Sequence, residues 1–211
     1  MPSVYSNERS FIFVHIPKCA GSSIHHALET VPSSRFVTTP RDIAMGHSTS
    51  RDIRTTLGKA AWDDCFKFTF VRNPYDWLVS LYFHVRQNVH DKHTIYWKPA
   101  QKRVTEQIKT LSFKDYVKYQ ADMIGTDEQY TQHSYVMGGR GAMLVDFVGR
   151  FETIGSDWRL ITSRIGIPPK LPYKNRSSHK HCSDYYDDTT QEIAYNYLKE
   201  DFELFGYRKE F

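Results

Sequence analysis

The architecture of this chain is most directly inferred from residues 11–23, which read Phe11-Ile12-Phe13-Val14-His15-Ile16-Pro17-Lys18-Cys19-Ala20-Gly21-Ser22-Ser23. The first four residues form a short apolar run, which predicts a strand buried inside a parallel sheet. The residues after it are mostly small or polar and predict a loop, followed by a helix over about residues 22–30. The segment therefore has the order strand, small-residue loop, helix that is typical of an α/β protein.

A second unit of the same kind begins at residue 66. Its apolar positions predict another strand: Phe66, Phe68, Phe70 and Val71. Asn73 is a good helix N-cap and Pro74 suits the first helical position, so a helix is expected to begin there. Apolar residues then recur at helical spacing, at positions 78, 81, 82 and 85.

The remaining chain continues this alternation. Thr49 with Asp52 predicts a capped helix start, Gly58 a helix end, and Ser112 a second capped start. A third strand is predicted at residues 147–151, a helix at about residues 156–165, and a last helix beginning near Thr189. We therefore predict a mainly parallel sheet, with both loops at the carboxyl ends of the strands, where ligands bind in such folds.

The composition restricts the functional classes. Of the 211 residues, 40% are hydrophobic and 25% charged, so residues 1–211 can form one domain with a buried core. No apolar run approaches the ~18 residues that cross a bilayer, and the polar N-terminus lacks a signal-peptide stretch, so we expect a cytoplasmic protein without a membrane span. The net charge of +4 suits an anionic ligand and does not call for nucleic acid as a partner.

Neither a disulfide framework nor a metal site is predicted. The three cysteines, Cys19, Cys65 and Cys182, are odd in number and scattered, which favours reduced thiols. His179 and His181 lie close to Cys182, but no second cluster of ligands accompanies them. A polar surface loop is the simpler interpretation.

The first loop has the composition of a phosphate-binding site. Its small residues, at positions 20–23, let backbone N–H groups approach an anion closely, and the start of the next helix adds partial positive charge. Lys18 adds a full charge, although it precedes Gly21 and the Walker sequence G-x-x-x-x-G-K-[ST] occurs nowhere. From the residues alone, a phosphate cradle and an ordinary tight turn are equally open.

Arg72 and Ser80 mark a second candidate anion site. Arg72 follows the second predicted strand, where its guanidinium can clamp a phosphate with two hydrogen bonds, and Ser80 lies two helical turns later. Either residue alone would be ordinary. Anion sites on two neighbouring strand ends would suit a nucleotide with two separated phosphates.

An ordered set of motifs resembles the carbohydrate-type sulfotransferases, including their uronyl 2-O-sulfotransferase branch. Residues 13–24 (FVHIPKCAGSSI) resemble the 5′-phosphosulfate loop of that family, and residues 70–76 (FVRNPYD) with Ser80 resemble its 3′-phosphate motif. Residues 148–152 (VGRFE) are similar to its third landmark. Its C-terminal landmarks are matched by Tyr185-Tyr186, Asp201-Phe202 and Phe205-Gly206-Tyr207.

The resemblance covers nearly the whole chain in the family's order. It implies a P-loop-like, three-layer α/β fold with a mainly parallel central sheet flanked by helices. It also implies an enzyme that moves a sulfuryl group from PAPS (3′-phosphoadenosine 5′-phosphosulfate) to an acceptor hydroxyl, with PAP (3′-phosphoadenosine 5′-phosphate) as product and no metal. The acceptor implied is a saccharide; a small hydroxylated metabolite is the second possibility.

The resemblance also assigns roles to residues. The 5′-phosphosulfate would lie on the loop formed by Pro17, Lys18, Cys19, Ala20, Gly21, Ser22 and Ser23. Lys18 would hold the bridging oxygen as the donor breaks, and Cys19, which stands where threonine is common, is interpreted as a neutral replacement. Arg72 and Ser80 would bind the 3′-phosphate. Residues 175–178 (NRSS) resemble the late segment that folds over the nucleotide, which adds Arg176 and Ser177.

A general base is expected, because the attacking hydroxyl must lose its proton. His47, within Gly46-His47-Ser48, resembles the catalytic histidine of the uronyl 2-O-sulfotransferase branch, in which a His-x-His pair occurs; Met45 stands at the first position of that pair here. Glu152 is the carboxylate alternative, which we interpret as structural.

The other histidines receive other interpretations. His15 is expected to pack near the loop, and at most one of His25 and His26 can face the interior. The rest are predicted to lie on the surface or in an acceptor cleft: His84, His90, His93 and His133.

Two further functions stay open at this point. A P-loop-type small-molecule kinase would share the fold but would need a Walker lysine and a magnesium site. A non-catalytic nucleotide- or glycan-binding protein on the same scaffold would lack the base or Lys18, and both positions are filled. The basic and aromatic segment 88–107 is either a lining of the acceptor cleft or a solvated insertion.

Overall fold

The structure is a computed structural model that describes residues 2–45, 47–87, 108–123, 131–172 and 180–211. The chain divides into two compact units. The first unit is formed by residues 1–72 and 132–176, and the second by residues 73–131 and 177–211. One domain over residues 1–211 stays a prediction.

The first unit contains a five-stranded sheet with the strand order β3-β1-β2-β4-β5. β2, β4 and β5 pair in parallel, whereas β1 runs antiparallel to both β2 and β3. The α/β fold with a central sheet flanked by helices is thus confirmed. The strands are β1 Ser3–Ser6, β2 Phe11–Phe13, β3 Ser34–Val37, β4 Phe66–Val71 and β5 Phe147–Arg150.

The three parallel strands are those that the sequence predicts, and the two antiparallel strands are additional. β1 is buried along its whole length although it begins and ends with serine. Ser3 Oγ accepts a hydrogen bond from the His15 N–H (3.1 Å), and Ser6 Oγ donates to Pro32 O (3.2 Å). Because these hydroxyls find partners inside the protein, a strand that reads as polar in the sequence is buried here.

Both units contain helices. None of the helices within the described ranges is long and apolar enough to cross a membrane. The helices of the first unit are α1 Gly21–Leu28, α2 Pro40–Met45, α3 Ser50–Leu57, α4 Lys59–Asp63, α7 Gln132–Val136 and α8 Ile154–Ile165. Those of the second unit are α5 Pro74–Gln87, α6 Phe113–Asp122, α9 Asp188–Tyr197 and α10 Lys199–Phe205.

The predicted caps are largely confirmed. Thr49 and Asp52 form a reciprocal capping box at the start of α3, and Ser112 accepts a hydrogen bond from the Asp115 N–H at the start of α6. The predicted helix start near Thr189 is confirmed to within one residue, but this helix is not the last one. The helix near Thr189 is capped by Asp187, and a further helix, α10, follows it. The chain bends at Leu198, whose backbone (φ −103°, ψ 17°) leaves the helical region while the apolar pattern continues.

Each unit has an aromatic core. In the first unit, Phe13 stacks on Phe68 with ring centroids 5.4 Å apart. In the second unit, Tyr75 lies 4.7 Å from Phe202 and 5.1 Å from Tyr186. The C-terminal landmark residues therefore contribute to the core of the second unit.

Candidate functional site

The loop between β2 and α1 has an unusual backbone. Lys18 (φ 63°) and Ala20 (φ 64°) both adopt the left-handed conformation, which costs a non-glycine residue about 1–2 kcal/mol. Ala20 is the N-cap of α1 and offers no side-chain hydrogen bond to the helix start. Strained residues next to a helix N-terminus are typical of ligand sites, where the surrounding structure holds them in place.

Gly21 is required by a close approach of His15. A Cβ atom on Gly21 would lie 1.8 Å from His15 Nε2, so no other residue fits without displacing the imidazole. His15 is itself buried, as predicted. In the sequence analysis, the close approach of an anion was the reason for a small residue at position 21. The structure adds a second reason, the packing of His15 against Gly21.

Arg72, which belongs to the second candidate anion site, contacts the first loop. It follows β4 directly, is 5% exposed, and its Nη1 donates to Lys18 O at 3.4 Å. Its Cζ lies 4.3 Å from the centre of the Phe151 ring, a cation–π contact. Two candidate anion-binding residues, 54 positions apart in sequence, thus meet at neighbouring strand ends.

The charges of these residues repel each other. Burial lowers the pKa of Lys18 below its usual value, and the positive charge of Arg72 lowers it further, while Cys19 acts in the opposite direction. A bound anion would relieve this repulsion, because it favours the charged form of both side chains. The electrostatics therefore suit a phosphate or sulfate ligand.

Gln132 is a site residue that sequence reasoning missed. Its Oε1 accepts a hydrogen bond from the Arg72 N–H (2.8 Å), and its Nε2 donates to Arg72 O (2.9 Å). Cys19 Sγ donates to the same Oε1 at 3.3 Å. The fully buried amide thus joins Arg72 to the first loop. Nothing in the local sequence distinguishes this glutamine, because its partners are distant in the chain.

The other residues that are predicted to bind the donor PAPS differ in their exposure to solvent. Cys19 and Ser23 are buried, while Pro17, Ala20 and Ser22 are half-buried. Burial of the Cys19 thiol agrees with a packing role. Ser80 is buried on α5 in the second unit, so its predicted pairing with Arg72 stays a prediction. Arg176 and Ser177 lie outside the described residues.

His47 lies in the first unit, between α2 and α3. Its ring meets that of His15 edge to face, with centroids 4.7 Å apart and an interplanar angle of 83°. Since His15 in turn covers Gly21, a single imidazole separates the predicted base from the first loop.

The remaining histidines and Glu152 are placed differently. His25 is buried between aromatic rings, 5.3 Å from Phe36, and burial lowers its pKa to about 4, so it is neutral at pH 7. His26 is exposed, which confirms that only one of the pair faces inward. Glu152 is exposed in the short turn Phe151–Thr153.

A metal cluster is not found among the described residues, where no three or more His, Cys, Asp or Glu side chains converge. His181 Nδ1 instead lies 2.7 Å from Ser183 Oγ, and Cys182 is buried beside it. His179, the third residue of the group considered from the sequence, lies outside the described ranges.

Comparison with known proteins identifies the class. The sulfotransferase family model matches residues 2–208, so the chain belongs to the sulfotransferase family and is a sulfotransferase enzyme.

Among its relatives, carbohydrate sulfotransferase 14 of Danio rerio is 25% identical over 232 residues, covering 96% of this chain and 61% of that protein. An uncharacterised protein of Archaeoglobus fulgidus is 28% identical over 119 residues, covering 56% of this chain and 82% of that protein. A sulfotransferase structure from Alicyclobacillus acidocaldarius matches 92% of both chains with a TM-score of 0.38 and 12% identity.

Proposed function

We propose that this sulfotransferase transfers a sulfuryl group from PAPS to a hydroxyl group of a saccharide, with His47 as the general base. The observation that carries the proposal is the contact between Lys18 and Arg72 at the carboxyl ends of β2 and β4. The Arg72 guanidinium contacts the backbone oxygen of Lys18, and its charge lowers the pKa of the Lys18 ammonium, beside a loop with a left-handed backbone. The repulsion between the two charges favours the binding of an anion.

PAPS would be held by residues of both candidate anion sites, the first loop and the one that contains Arg72 and Ser80. The loop of residues 17–23 would bind the 5′-phosphosulfate with its backbone N–H groups and the Ser22 and Ser23 hydroxyls. Arg72 and Ser80 would bind the 3′-phosphate, and Arg176 with Ser177 would cover the nucleotide. PAPS carries a 3′-phosphate and a 5′-phosphosulfate, so its binding requires two such anion sites.

The transfer step needs only a base and a cation. The acceptor oxygen forms a bond to sulfur while the bond from sulfur to the bridging oxygen of PAPS breaks, and PAP leaves with both electrons of that bond. His47 takes the proton of the acceptor hydroxyl. Lys18 offsets the negative charge that grows on the bridging oxygen.

Two lines of support favour a saccharide as acceptor. The Danio rerio relative is named a carbohydrate sulfotransferase, and its match covers 96% of this chain. The sequence motifs resemble the same class. A P-loop kinase receives no comparable support, because the Walker sequence does not occur in the chain.

The test is an assay with labelled PAPS and a panel of saccharides and small hydroxylated metabolites, following both PAP release and label on the acceptor. We expect stoichiometric PAP and sulfated saccharide. The same panel with ATP and Mg²⁺ should give no phosphorylated product. Transfer from ATP, or PAP binding without turnover on any acceptor, would contradict the proposal.

A further inference from the structure

The rings of three histidines meet in the first unit. The ring centroid of His15 lies 5.1 Å from that of His25 and 4.7 Å from that of His47. His15 and His25 are buried, and both rings also pack on Phe13, at 5.8 and 5.9 Å. The proposed function uses His47 as the base and gives His15 no role, although the two rings are in contact.

His15 is fixed by the sheet. Its N–H donates to Ser3 Oγ of β1 at 3.1 Å. Val14, directly before it, donates its N–H to Phe68 O (2.9 Å) and accepts from Thr69 Oγ1 (2.8 Å), both in β4. The side chain of His15 is also closely packed, because the residue is only 4% exposed. Its imidazole therefore keeps a fixed position relative to the sheet.

His47, in contrast, belongs to a short stretch without regular secondary structure between α2 and α3. The chain is anchored directly after it, where Ser48 Oγ donates to Asp42 Oδ2 and shares a hydrogen bond with Thr39 Oγ1. The ring itself is half-buried, so its orientation depends on the side chains that it meets. The edge-to-face contact with His15, at an interplanar angle of 83°, restrains that orientation.

The same imidazole of His15 contacts the first residue of α1. His15 Nε2 approaches Gly21 so closely that a Cβ atom there would lie 1.8 Å away. Gly21 belongs to the first loop, in which Lys18 and Ala20 have a left-handed backbone. Because packed groups cannot interpenetrate, a shift of this backbone when an anion binds would be passed to the imidazole.

We propose that His15 is a positioning residue, which orients the ring of His47 and transmits to it the occupancy of the first loop. The base would then be aligned for proton transfer when PAPS is bound. His15 itself takes no proton from the acceptor and acts only through His47. This inference rests on the proposed function and adds a link between the donor site and the base.

The first test is NMR spectroscopy of protein with isotope-labelled histidine rings, before and after PAP is added. The signals of the His47 ring, assigned by their absence in His47→Ala, should shift when PAP binds to the wild-type protein. In His15→Gln, PAP should still bind, but the shift should fall to less than about half, because coupling through packed side chains needs the ring of His15.

Two results of this measurement would overturn the inference. An unmoved His47 signal in wild-type protein saturated with PAP would show that the loop and the base are not coupled, and this result requires no variant to fold. An equal shift in the wild-type protein and in His15→Gln would show that the charge of PAP acts on His47 directly.

The second test is steady-state kinetics with the best acceptor. His15→Gln should lower kcat about ten- to hundredfold, because a misplacement of about 1 Å can cost up to that factor, while PAP affinity changes little. His25→Gln is the matched control, since His25 is buried in the same cluster and packs on Phe13 and Phe36. It should lower stability in urea unfolding but keep kcat near that of the wild type.

The outcomes of the kinetic test separate the inference from the proposed function. Equal losses of kcat in His15→Gln and His25→Gln, or an unchanged kcat in His15→Gln, would overturn the positioning role and leave the proposed function intact. Failure of the wild-type protein to bind PAP would instead refute the proposed function, and the inference with it.

Discussion

Lys18 and Arg72 illustrate at the scale of single residues how a site for an anion is built. Both carry positive charge, both are largely removed from water, and the backbone oxygen of one accepts from the guanidinium of the other. The arrangement raises the energy of the free protein, because like charges repel and Lys18 adopts a left-handed backbone. A bound anion recovers part of that energy, which makes these residues sensitive to ligand.

His47→Ala should lower turnover about 10²–10⁴-fold, because a positioned base contributes about that factor to proton transfer. PAP affinity should stay near that of the wild type, since the base serves the acceptor. Wild-type turnover should fall at acid pH, as a protonated imidazole cannot accept a proton. Steady-state kinetics with the best acceptor measures this, with His26→Ala as the exposed control. Near-normal turnover by a folded His47→Ala protein would rule out the assignment and direct attention to Glu152 or His84.

Arg72→Ala should weaken the binding of PAP more than that of AMP, which lacks the 3′-phosphate. A charge-assisted contact is worth roughly 1.5–3 kcal/mol, or about one to two decades of affinity. Calorimetry with both ligands gives the comparison. Equal losses would show that Arg72 acts by holding the Lys18 loop rather than by contacting the 3′-phosphate.

PAP binding should become weaker at alkaline pH because of Lys18. Burial and Arg72 lower the pKa of Lys18 in the free protein, and a bound phosphate raises it again. At a pH between the pKa of Lys18 in the free protein and its higher pKa in the complex, PAP binding takes up a proton. The affinity therefore falls as pH rises above the pKa of Lys18 in the free protein. Calorimetry from about pH 7 to about pH 10, in two buffers of different ionisation enthalpy, measures the uptake. Lys18→Met should abolish it; an unchanged uptake in that variant would assign the proton to another group.

At the scale of elements, α7 connects the end of β4 to the loop before α1. The first residue of this short helix, Gln132, satisfies both backbone groups of Arg72 and also meets Cys19. A third element, α7, therefore holds the end of β4 and the loop before α1 in fixed positions relative to each other.

Gln132→Met should lower both stability and PAP affinity. The substitution keeps the approximate volume but leaves the N–H and C=O of Arg72 without their amide partner, at about 1–3 kcal/mol for each buried group. Urea unfolding and calorimetry measure the two effects. Gln191→Met is a matched control, because Gln191 donates to Lys209 O within the second unit and should affect stability alone. Unchanged PAP affinity in Gln132→Met would show that Arg72 keeps its position without α7.

At the scale of the whole molecule, the chain forms two compact units with an aromatic core in each. The sheet lies entirely in the first unit, together with Lys18, Arg72 and His47. The two cations that are proposed to bind the anionic donor therefore lie in the same unit as the sheet.

Turnover with PAPS should be unchanged when EDTA is added. Phosphoryl-transfer enzymes use magnesium to neutralise charge on the reacting groups. Here Lys18 and Arg72 are proposed to supply that positive charge. The measurement is the rate of PAP release before and after chelation, with a magnesium-dependent kinase in the same buffer as the control. A strict requirement for a divalent ion would move the interpretation towards a kinase.

Local patterns in the sequence were enough for the parallel strands, the first loop and most helix caps. An apolar run predicts a buried strand, and Thr49 caps α3 through Asp52, three residues away. Such features depend on neighbours in the chain, so they can be read without knowing the fold. Lys18, Arg72 and His47 were proposed as site residues through the order of the motifs, and their roles stay predictions.

The relations between those residues depend on the folded chain. Arg72 meets Lys18 across 54 positions and Gln132 across 60, and the ring of His47 meets that of His15. The buried serines of β1 belong here as well, because their partners lie on other elements. Hydrogen bonds, ring contacts and repulsion act over a few ångströms in space, and only folding brings groups so distant in sequence within that range.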